Sequence, residues 1–213
     1  MPLILQECVE EDADQIAEVL YAAFAEDVWG RIMFPQRPPP DVDTPTKRHY
    51  RRLISSEPSV FLVKAVDTET HQMVGVARWE LNLKTKSDAE WDAKMAREWD
   101  EGTNTTATDF LIASVVEKDR EFMGATPHLL GLGLLYVHPD HQRKGAGRML
   151  AEWGLDMADK KAIPCWLQAT PQGAGLYRKL GFEDVGNMDI DMSNFGGKGV
   201  YRYVCMIRPT KDS

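Results

Sequence analysis

Residues 129–155, LLGLGLLYVHPDHQRKGAGRMLAEWGL, change their hydrophobic period in the middle of the stretch. Residues 129–137 are an almost unbroken apolar run, too short to cross a bilayer, so we predict a strand buried on both faces. Further along, apolar residues recur at the spacing of one helix face, at Ala146, Met149, Leu150, Trp153 and Met157. The pattern predicts a buried strand, a loop and an amphipathic helix in succession.

The loop between this strand and this helix, residues 139–147, has the composition of an anion site. The first backbone N–H groups of a helix have no partner within it and carry the positive end of its dipole. Gly145 and Gly147 lack a Cβ, so a phosphate can approach the main chain closely. Positive charge comes from Arg143, Lys144 and Arg148. A pyrophosphate is the expected ligand, and another anion, such as a nucleotide phosphate, is the alternative ligand. The other explanation for the two glycines is that they only allow tight packing.

The same segment resembles the acetyl-CoA signature of the GCN5-related N-acetyltransferases, the GNAT family. In that signature a strand ends in a hydrophobic-x-Val-x-Pro-like segment and is followed by Gln/Arg-x-x-Gly-x-Gly/Ala. This chain has LYVHP at residues 135–139 and QRKGAG at residues 142–147. The resemblance implies acetyl-CoA as the cosubstrate, and it implies a cofactor-binding set of Leu135, Tyr136, Val137, Gln142, Arg143, Lys144, Gly145, Ala146, Gly147, Arg148 and Tyr177.

The composition fits an ordinary globular protein of one domain, residues 1–213. A net charge of −8 argues against nucleic-acid and anionic-membrane partners, because such polyanions are bound mainly by clustered Lys and Arg. It weakly favours a cationic substrate. Cys8, Cys165 and Cys205 are widely separated in predicted strands, which indicates reduced core thiols, and no metal-ligand spacing is present. The N-terminus shows no secretion signal, so we expect a cytoplasmic protein.

The remaining elements resemble the same fold over essentially all of the chain except residues 82–127. Strands are predicted at residues 3–9, 60–66, 73–81, 163–169, 182–192 and 200–207. Asp12, with Gln15 three residues on, and Thr44, before Pro45, are the predicted N-caps of two helices. We therefore expect an α/β protein of the GNAT fold, with a mixed central sheet of about seven strands flanked by helices.

Residues 82–127 are too long for a plain loop and are predicted to be a helical insertion between strands 3 and 4. Ser87 and Glu90 form a capping box for a helix to about residue 100, and a second helix is predicted at residues 108–123. If the insertion covers the substrate entrance, Trp79, Trp91 and Trp99 form a wall beside Glu90, Asp92 and Glu98 that suits a cation. The alternative is that these tryptophans are a dry helix face.

Acetyl transfer to an amine needs a neutral amine, stabilisation of an oxyanion and a proton for the departing thiolate. The resemblance implies that the central strand splays from the strand of Trp166, which leaves main-chain groups of Leu135 and Val137 for the thioester and the pantetheine arm. It also implies that Tyr177, which precedes Gly181-Phe182, is the acid. Its alternative role is packing of the last helix.

The base is less well defined by the sequence. Some family members have a glutamate early on the central strand, but Gly131 stands at the corresponding position here. Glu80, His138 and His128 are the candidates, a water chain is a further possibility, and each side chain has a structural alternative.

These observations predict an N-acetyltransferase that moves an acetyl group from acetyl-CoA to a primary amine by direct attack in a ternary complex. A ping-pong route through a cysteine is disfavoured because no histidine is placed beside one. The alternative is a catalytically silent CoA-binding sensor or interaction module. The acceptor is a small-molecule amine or a peptide amine, and the protein is a monomer or a homodimer.

Overall fold

A mixed sheet organises the computed structural model, which describes residues 2–131 and 135–211. Its strand order among these residues is β1-β2-β3-β4-β6-β8-β7, and β5 also pairs with β3. The β4–β6 pair is parallel and the other pairs are antiparallel. The strands are β1 Leu3–Glu7, β2 Val60–Asp67, β3 Met73–Asn82, β4 His128–Gly131, β5 Leu135–Val137, β6 Cys165–Ala169, β7 Glu183–Asp191 and β8 Val200–Arg208. The expected α/β architecture is confirmed.

Helices cover both faces of the sheet. They are α1 Ala13–Ala25, α2 Val28–Met33, α3 Pro45–Ser56, α4 Asp88–Met95, α5 Thr105–Phe122, α6 Ala146–Lys161 and α7 Ala174–Lys179. The α6 and α7 helices bury one face around Trp79, Leu129 and Leu150. The opposite face is covered by α1 and α3 over β2 and β3, and by α2 and α5 over β6 to β8. None of the helices in the described part of the chain is long and apolar enough to span a bilayer.

The predicted central strand is divided between β4 and β5, and residues 132–134 of that prediction lie outside the described residues. On β4, Leu129, Leu130 and Gly131 pair with Cys165, Trp166 and Leu167 of β6. On β5, by contrast, Leu135, Tyr136 and Val137 pair with β3. In the described structure the sheet therefore opens between β5 and β6, and we call this opening the gap.

The insertion between β3 and β4 contains two helices, as predicted. In α4, the Ser87 hydroxyl accepts the Glu90 amide while the Glu90 carboxylate accepts the Ser87 amide, so the capping box is present. The helix ends at Met95 rather than near residue 100, because Ala96 is extended. The second helix, α5, begins at Thr105 under the Asn104 cap, three residues earlier than predicted.

Candidate active site

The N-terminus of α6 has the form that an anion site requires. Gly145 precedes the helix with a φ of 95°, a left-handed conformation that favours glycine, and no side chain caps the helix. The first-turn amides of Ala146, Gly147 and Arg148 therefore have no acceptor within α6. A Cβ built on Gly147 lies 3.6 Å from carbons of both Leu135 and Val137, so this turn packs directly beside β5.

Gln142, Arg143, Lys144 and Arg148 are exposed, and three of these four side chains have partners within the chain. The Lys144 Nζ donates to the Asp140 carbonyl at 2.8 Å, and Arg148 pairs with Glu152 one turn along α6. The Gln142 amide donates to the Val137 carbonyl at 3.2 Å. Gln142 thus ties the loop to β5, whereas Arg143 is exposed, with a φ of 62°.

The direction of the β5 main chain follows from its pairing with β3. The His138 amide donates to the Val74 carbonyl at 2.9 Å, and hydrogen-bonding direction alternates along an antiparallel strand. The backbone of Tyr136 therefore faces β3, while the amides of Leu135 and Val137 face the gap. The Tyr136 side chain is buried in the α1/α3 layer. Of the predicted strand residues, Leu135 and Val137 line the gap and Tyr136 is directed away from it.

Tyr177 lies on α7, which packs beside the first turn of α6. Its neighbour Leu176 is 3.7 Å from the Cβ position of Gly147. The Tyr177 ring packs against the α6-side core and meets Phe182 edge-on, with ring centroids 5.5 Å apart. Burial raises the pKa of the Tyr177 phenol, so its proton stays on the oxygen at neutral pH. Tyr177 thus belongs to the same core as α6, one residue after a side chain that contacts the α6 turn.

Glu80 lies near the end of β3, on the sheet face opposite α6, and is almost fully buried. Its carboxylate is 2.8 Å from Lys94 Nζ, 3.4 Å from an Arg78 nitrogen and 3.5 Å from Lys86 Nζ. Burial raises the pKa of Glu80, but Lys94, Arg78 and Lys86 outweigh it, and the pKa falls below its usual range. A carboxylate held in this way is a weak proton acceptor.

The two histidine candidates are positioned for other roles. His138 directly follows β5, roughly 10 Å along the strand from Leu135. There it lines a cavity of about 740 Å³ beside α1. In His128, Nδ1 lies 2.6 Å from the Thr126 carbonyl and Nε2 lies 3.3 Å from the Asn82 amide, so both ring nitrogens have hydrogen-bond partners.

Asp119 on α5 is a buried carboxyl group that the sequence analysis missed. One oxygen accepts from Trp166 Nε1 at 2.7 Å and from Gln168 Nε2 at 2.8 Å, on the β6 side of the gap. The other oxygen has no hydrogen-bond partner among the described residues. Burial raises the pKa of Asp119 to about 6, against the opposing effect of these two bonds. The sequence did contain a signal for Asp119. It lies four residues after Val115 and three before Phe122, on the predicted buried face of the helix.

The predicted cation-binding wall of tryptophans does not form. Trp79 is buried against α6, and the ring of Trp91 is covered by Lys86 and Lys94, whose nitrogens lie 5.3 and 5.7 Å from its centroid. Arg97 stacks on Trp99 at 4.7 Å. The acidic members, Glu90, Asp92 and Glu98, are exposed. The protein's own cations thus occupy these rings: Lys94 of α4 and Lys86 before it cover Trp91, and Arg97 after it covers Trp99.

The three cysteines are free and buried. Burial raises the pKa of Cys8 and Cys165 to about 12 and that of Cys205 to about 11. Thiols of this kind do not supply the thiolate that nucleophilic attack needs. Within residues 2–131 and 135–211, no group of three or more His, Cys, Asp or Glu side chains is arranged to hold a metal ion.

Comparison with known proteins points to the segment that contains the gap and α6. The family model of the acetyltransferase (GNAT) domain matches residues 107–184, which include most of α5, the gap and α6. The probable acyltransferase SID5 of Ajellomyces capsulatus is 43% identical over 42 residues, which cover 20% of this chain and 31% of that protein. The matched part is therefore about a third of the length of this curated relative.

Two solved structures are similar over nearly the whole chain. Arylalkylamine N-acetyltransferase 2 from Aedes aegypti has a TM-score of 0.71 and is 14% identical, with 99% of this chain and all of that chain covered. A GNAT-superfamily phosphinothricin acetyltransferase from Sinorhizobium meliloti, in complex with AcCoA, has a TM-score of 0.59 and is 15% identical, with 99% and 89% covered. The GNAT resemblance and fold predicted from the sequence are confirmed.

Proposed function

We propose that this chain, which carries a GNAT acetyltransferase domain, transfers an acetyl group from acetyl-CoA to a primary amine by direct attack in a ternary complex. The proposal depends on two neighbouring features of the described residues. The β5 strand pairs with β3 rather than with β6, and the first-turn amides of α6 have no acceptor within that helix. The matched domain and the similar proteins are named for acyl transfer, and arylalkylamine N-acetyltransferase is named for an amine acceptor.

The residues at the gap fit acetyl-CoA, which supplies an acyl group on a thioester when bound. The first-turn amides of α6 and the Cβ-free surface of Gly145 and Gly147 suit a pyrophosphate. The amides of Leu135 and Val137 suit the pantetheine arm and the oxyanion, because a fixed N–H dipole stabilises developing negative charge. Arg143, Lys144 and Arg148 add positive charge around the turn.

Tyr177 is the proposed acid for the departing thiolate. Its neighbour Leu176 packs beside the α6 turn, and its phenol keeps its proton at neutral pH. Because its pKa exceeds that of a thiol, the proton transfer is uphill, and the fixed position of the ring on α7 has to compensate. Direct attack is proposed because the three thiols are buried and poorly ionised.

For the proton leaving the amine, Asp119 is a better candidate than Glu80 or His138. A base works best when its pKa is near the operating pH, and Asp119 meets that condition while its second oxygen is unpartnered. Its partners Trp166 and Gln168 place it at the β6 side of the gap. Glu80 already pairs with three cations, and His138 lines the cavity beside α1.

A thiol-release assay with acetyl-CoA and a panel of amines, amino acids and peptides tests the proposal. We expect Tyr177→Phe to lower kcat by about 10²- to 10⁴-fold while the Kd for CoA, measured by calorimetry, stays within a few fold. Tyr203→Phe, a buried tyrosine on β8, is the matched control and should keep its activity. CoA binding without turnover of any acceptor would support a sensor instead, and full activity of Tyr177→Phe would remove Tyr177 from the mechanism.

A further inference from the structure

Basic side chains converge where β3 passes the gap. Arg78 comes from β3 itself, Lys86 from the segment before α4, and Lys94 from the last turn of that helix. All three lie within 3.5 Å of the Glu80 carboxylate, and their side chains are only 14, 16 and 18% exposed. Arg97 is close enough to lower the pKa of the buried Arg78 guanidinium, after the larger effect of burial. We call Arg78, Lys86, Lys94 and Arg97 the basic cluster.

The basic cluster carries more positive charge than the described carboxylates beside it neutralise. Among the described carboxylates, Glu80 is the one that pairs with Arg78, Lys86 and Lys94, and Arg97 adds a fourth positive charge near Arg78. The Nε atoms of Arg78 and Arg97 are buried and have no hydrogen-bond partner among the described residues. Nearby, burial lowers the pKa of His49 to about 2, and Arg97, Arg78 and Arg52 add to that shift. The local field is therefore strongly positive.

A buried excess of like charge is unfavourable unless something compensates it. The register of β3 shows where a negatively charged group could lie beside the basic cluster. Ala77 pairs with Leu135 of β5 and Glu80 pairs with Leu130 of β4, so Arg78 lies level with the point at which the sheet opens. On the proposed function, Arg78 therefore lies level with the part of the sheet where the two substrates meet.

We propose that the basic cluster binds a carboxylate carried by one of the two substrates, either an amino-acid-like acceptor or a dicarboxylic acyl group. This inference rests on the proposed acyl transfer at the gap. A carboxylate forms charge-assisted, often bidentate, bonds with arginine, and it supplies the negative charge that this wall lacks. The same field disfavours a protonated amine, so it helps an acceptor amine to be neutral at the moment of attack.

Matched substrate pairs test the proposal and identify the source of the carboxylate. In one arm, acetyl-CoA is offered with amino acids and with the amines that remain when the carboxylate of each is removed. In the other arm, acetyl-CoA and succinyl-CoA are compared with a carboxylate-free acceptor. We expect at least a tenfold higher kcat/KM for the carboxylate-bearing member in one arm. Equal values in both arms would overturn the proposal.

Binding measurements distinguish a failure of this proposal from a failure of the proposed function. If no pair is turned over, calorimetry with the amino acids and with their decarboxylated amines, in the presence of CoA, still reports on the cluster. Selective binding of the amino acids without turnover would contradict acyl transfer and support the carboxylate site. Absence of selective binding, in a protein that also turns nothing over, would overturn both.

Arg97→Gln provides the sharpest variant. We expect a ten- to hundredfold rise in KM for the preferred carboxylate substrate, a kcat within a few fold, and no change for its carboxylate-free partner. Arg97→Lys should restore most of the affinity. Thermal unfolding checks that the variant remains folded, since Arg97 also stacks on Trp99. Arg202→Gln, at an exposed pair with Asp189, is the control, and an equal effect of Arg97→Gln on both members of the pair would contradict the assignment.

Discussion

At the level of single residues, Gly145 and Gly147 are glycine for different reasons. Gly145 has a φ of 95°, which an L-residue with a Cβ adopts only with strain. Gly147 has no such conformation, and a Cβ built on it meets carbon atoms at 3.6 and 3.7 Å, an ordinary contact distance. Folding therefore tolerates a methyl group at residue 147, whereas on the proposed function we expect it to hinder a pyrophosphate on the first turn of α6.

Gly147→Ala should separate binding from stability. We expect the melting temperature to be unchanged or higher, because alanine favours a helix over glycine by up to about 1 kcal/mol. The Kd for CoA should rise by about tenfold or more, the equivalent of one lost charge-assisted hydrogen bond. Calorimetry and thermal unfolding measure the two effects. Gly175→Ala on α7, which meets no atom within 4 Å, is the control, and unchanged CoA affinity in Gly147→Ala would place the pyrophosphate elsewhere.

At the level of elements, α6 is held to the sheet by a close contact between its backbone and an aromatic ring. A Cβ built on Gly154 would lie 2.2 Å from Trp79 Cε2, and Trp79 is 2% exposed. The helix therefore lies flat on the Trp79 ring. This contact sets the height of α6 above β3 and, through the rigid helix, the place of its N-terminus beside β5.

Gly154→Ala should lower the free energy of unfolding by about 1–3 kcal/mol, because neither the ring nor the helix can move without disturbing the packed core. Urea denaturation measures the loss. Gly147→Ala, the same substitution two turns earlier in α6, is the control and should show none. A Gly154→Ala variant as stable as the wild type would contradict the packing of Trp79 against α6.

The elements that could be predicted from the sequence are those set by local chemistry. The Thr44 cap, the Ser87 capping box and the β2–β3 hairpin involve neighbours in sequence, and all three are present. Asp12 was predicted to cap α1, but its carboxylate accepts the Val9 amide and pairs with Lys64. That strand partner, far away in sequence, competes for the side chain, and no local pattern reveals it.

The residues of the candidate site also differ in how far they could be predicted from the sequence. The α6 turn and the gap-facing residues of β5 could be predicted because strand, loop and helix are contiguous in sequence. Asp119 and the basic cluster could not, because α4, α5, β3 and β6 come together only in the folded chain. The tryptophan spacing suggested an aromatic wall, but spacing alone does not show which cations a ring already carries.

At the level of the whole molecule, Asp119 connects the insertion to the central sheet, so its protonation affects global stability. Burial raises its pKa from the usual 3.8 to about 6 in the folded protein. Between these values the folded state binds the proton and the unfolded state releases it. The contribution of Asp119 is therefore most favourable below about pH 4 and is lost as the pH rises through 6.

Asp119→Asn should remove this dependence, since the amide oxygen can still accept from Trp166 and Gln168. Relative to the wild type, we expect the unfolding free energy of the variant to rise between pH 4 and pH 7, by up to about 3 kcal/mol. Chemical denaturation across that range measures the difference. A constant difference would show that Asp119 has an ordinary pKa.

The same variant examines Asp119 as proton acceptor. In the wild type kcat/KM should fall with a pKa near 6 on the acid side, and this limb should be absent from the low residual activity of Asp119→Asn. His138→Gln is the control and should keep the limb. If Asp119→Asn retains the limb at full rate, the proton leaves the amine by another route.

The burial of every cysteine in the chain determines how cleanly catalysis can be followed. Cys8, Cys165 and Cys205 are sequestered, and their sulfurs stay protonated near neutrality. A chromogenic disulfide reagent that detects the thiol of released CoA is therefore not consumed by cysteine thiols of the native protein. The colour formed during a reaction reports product alone, and a slow rise in a blank without acceptor reports loss of the native state.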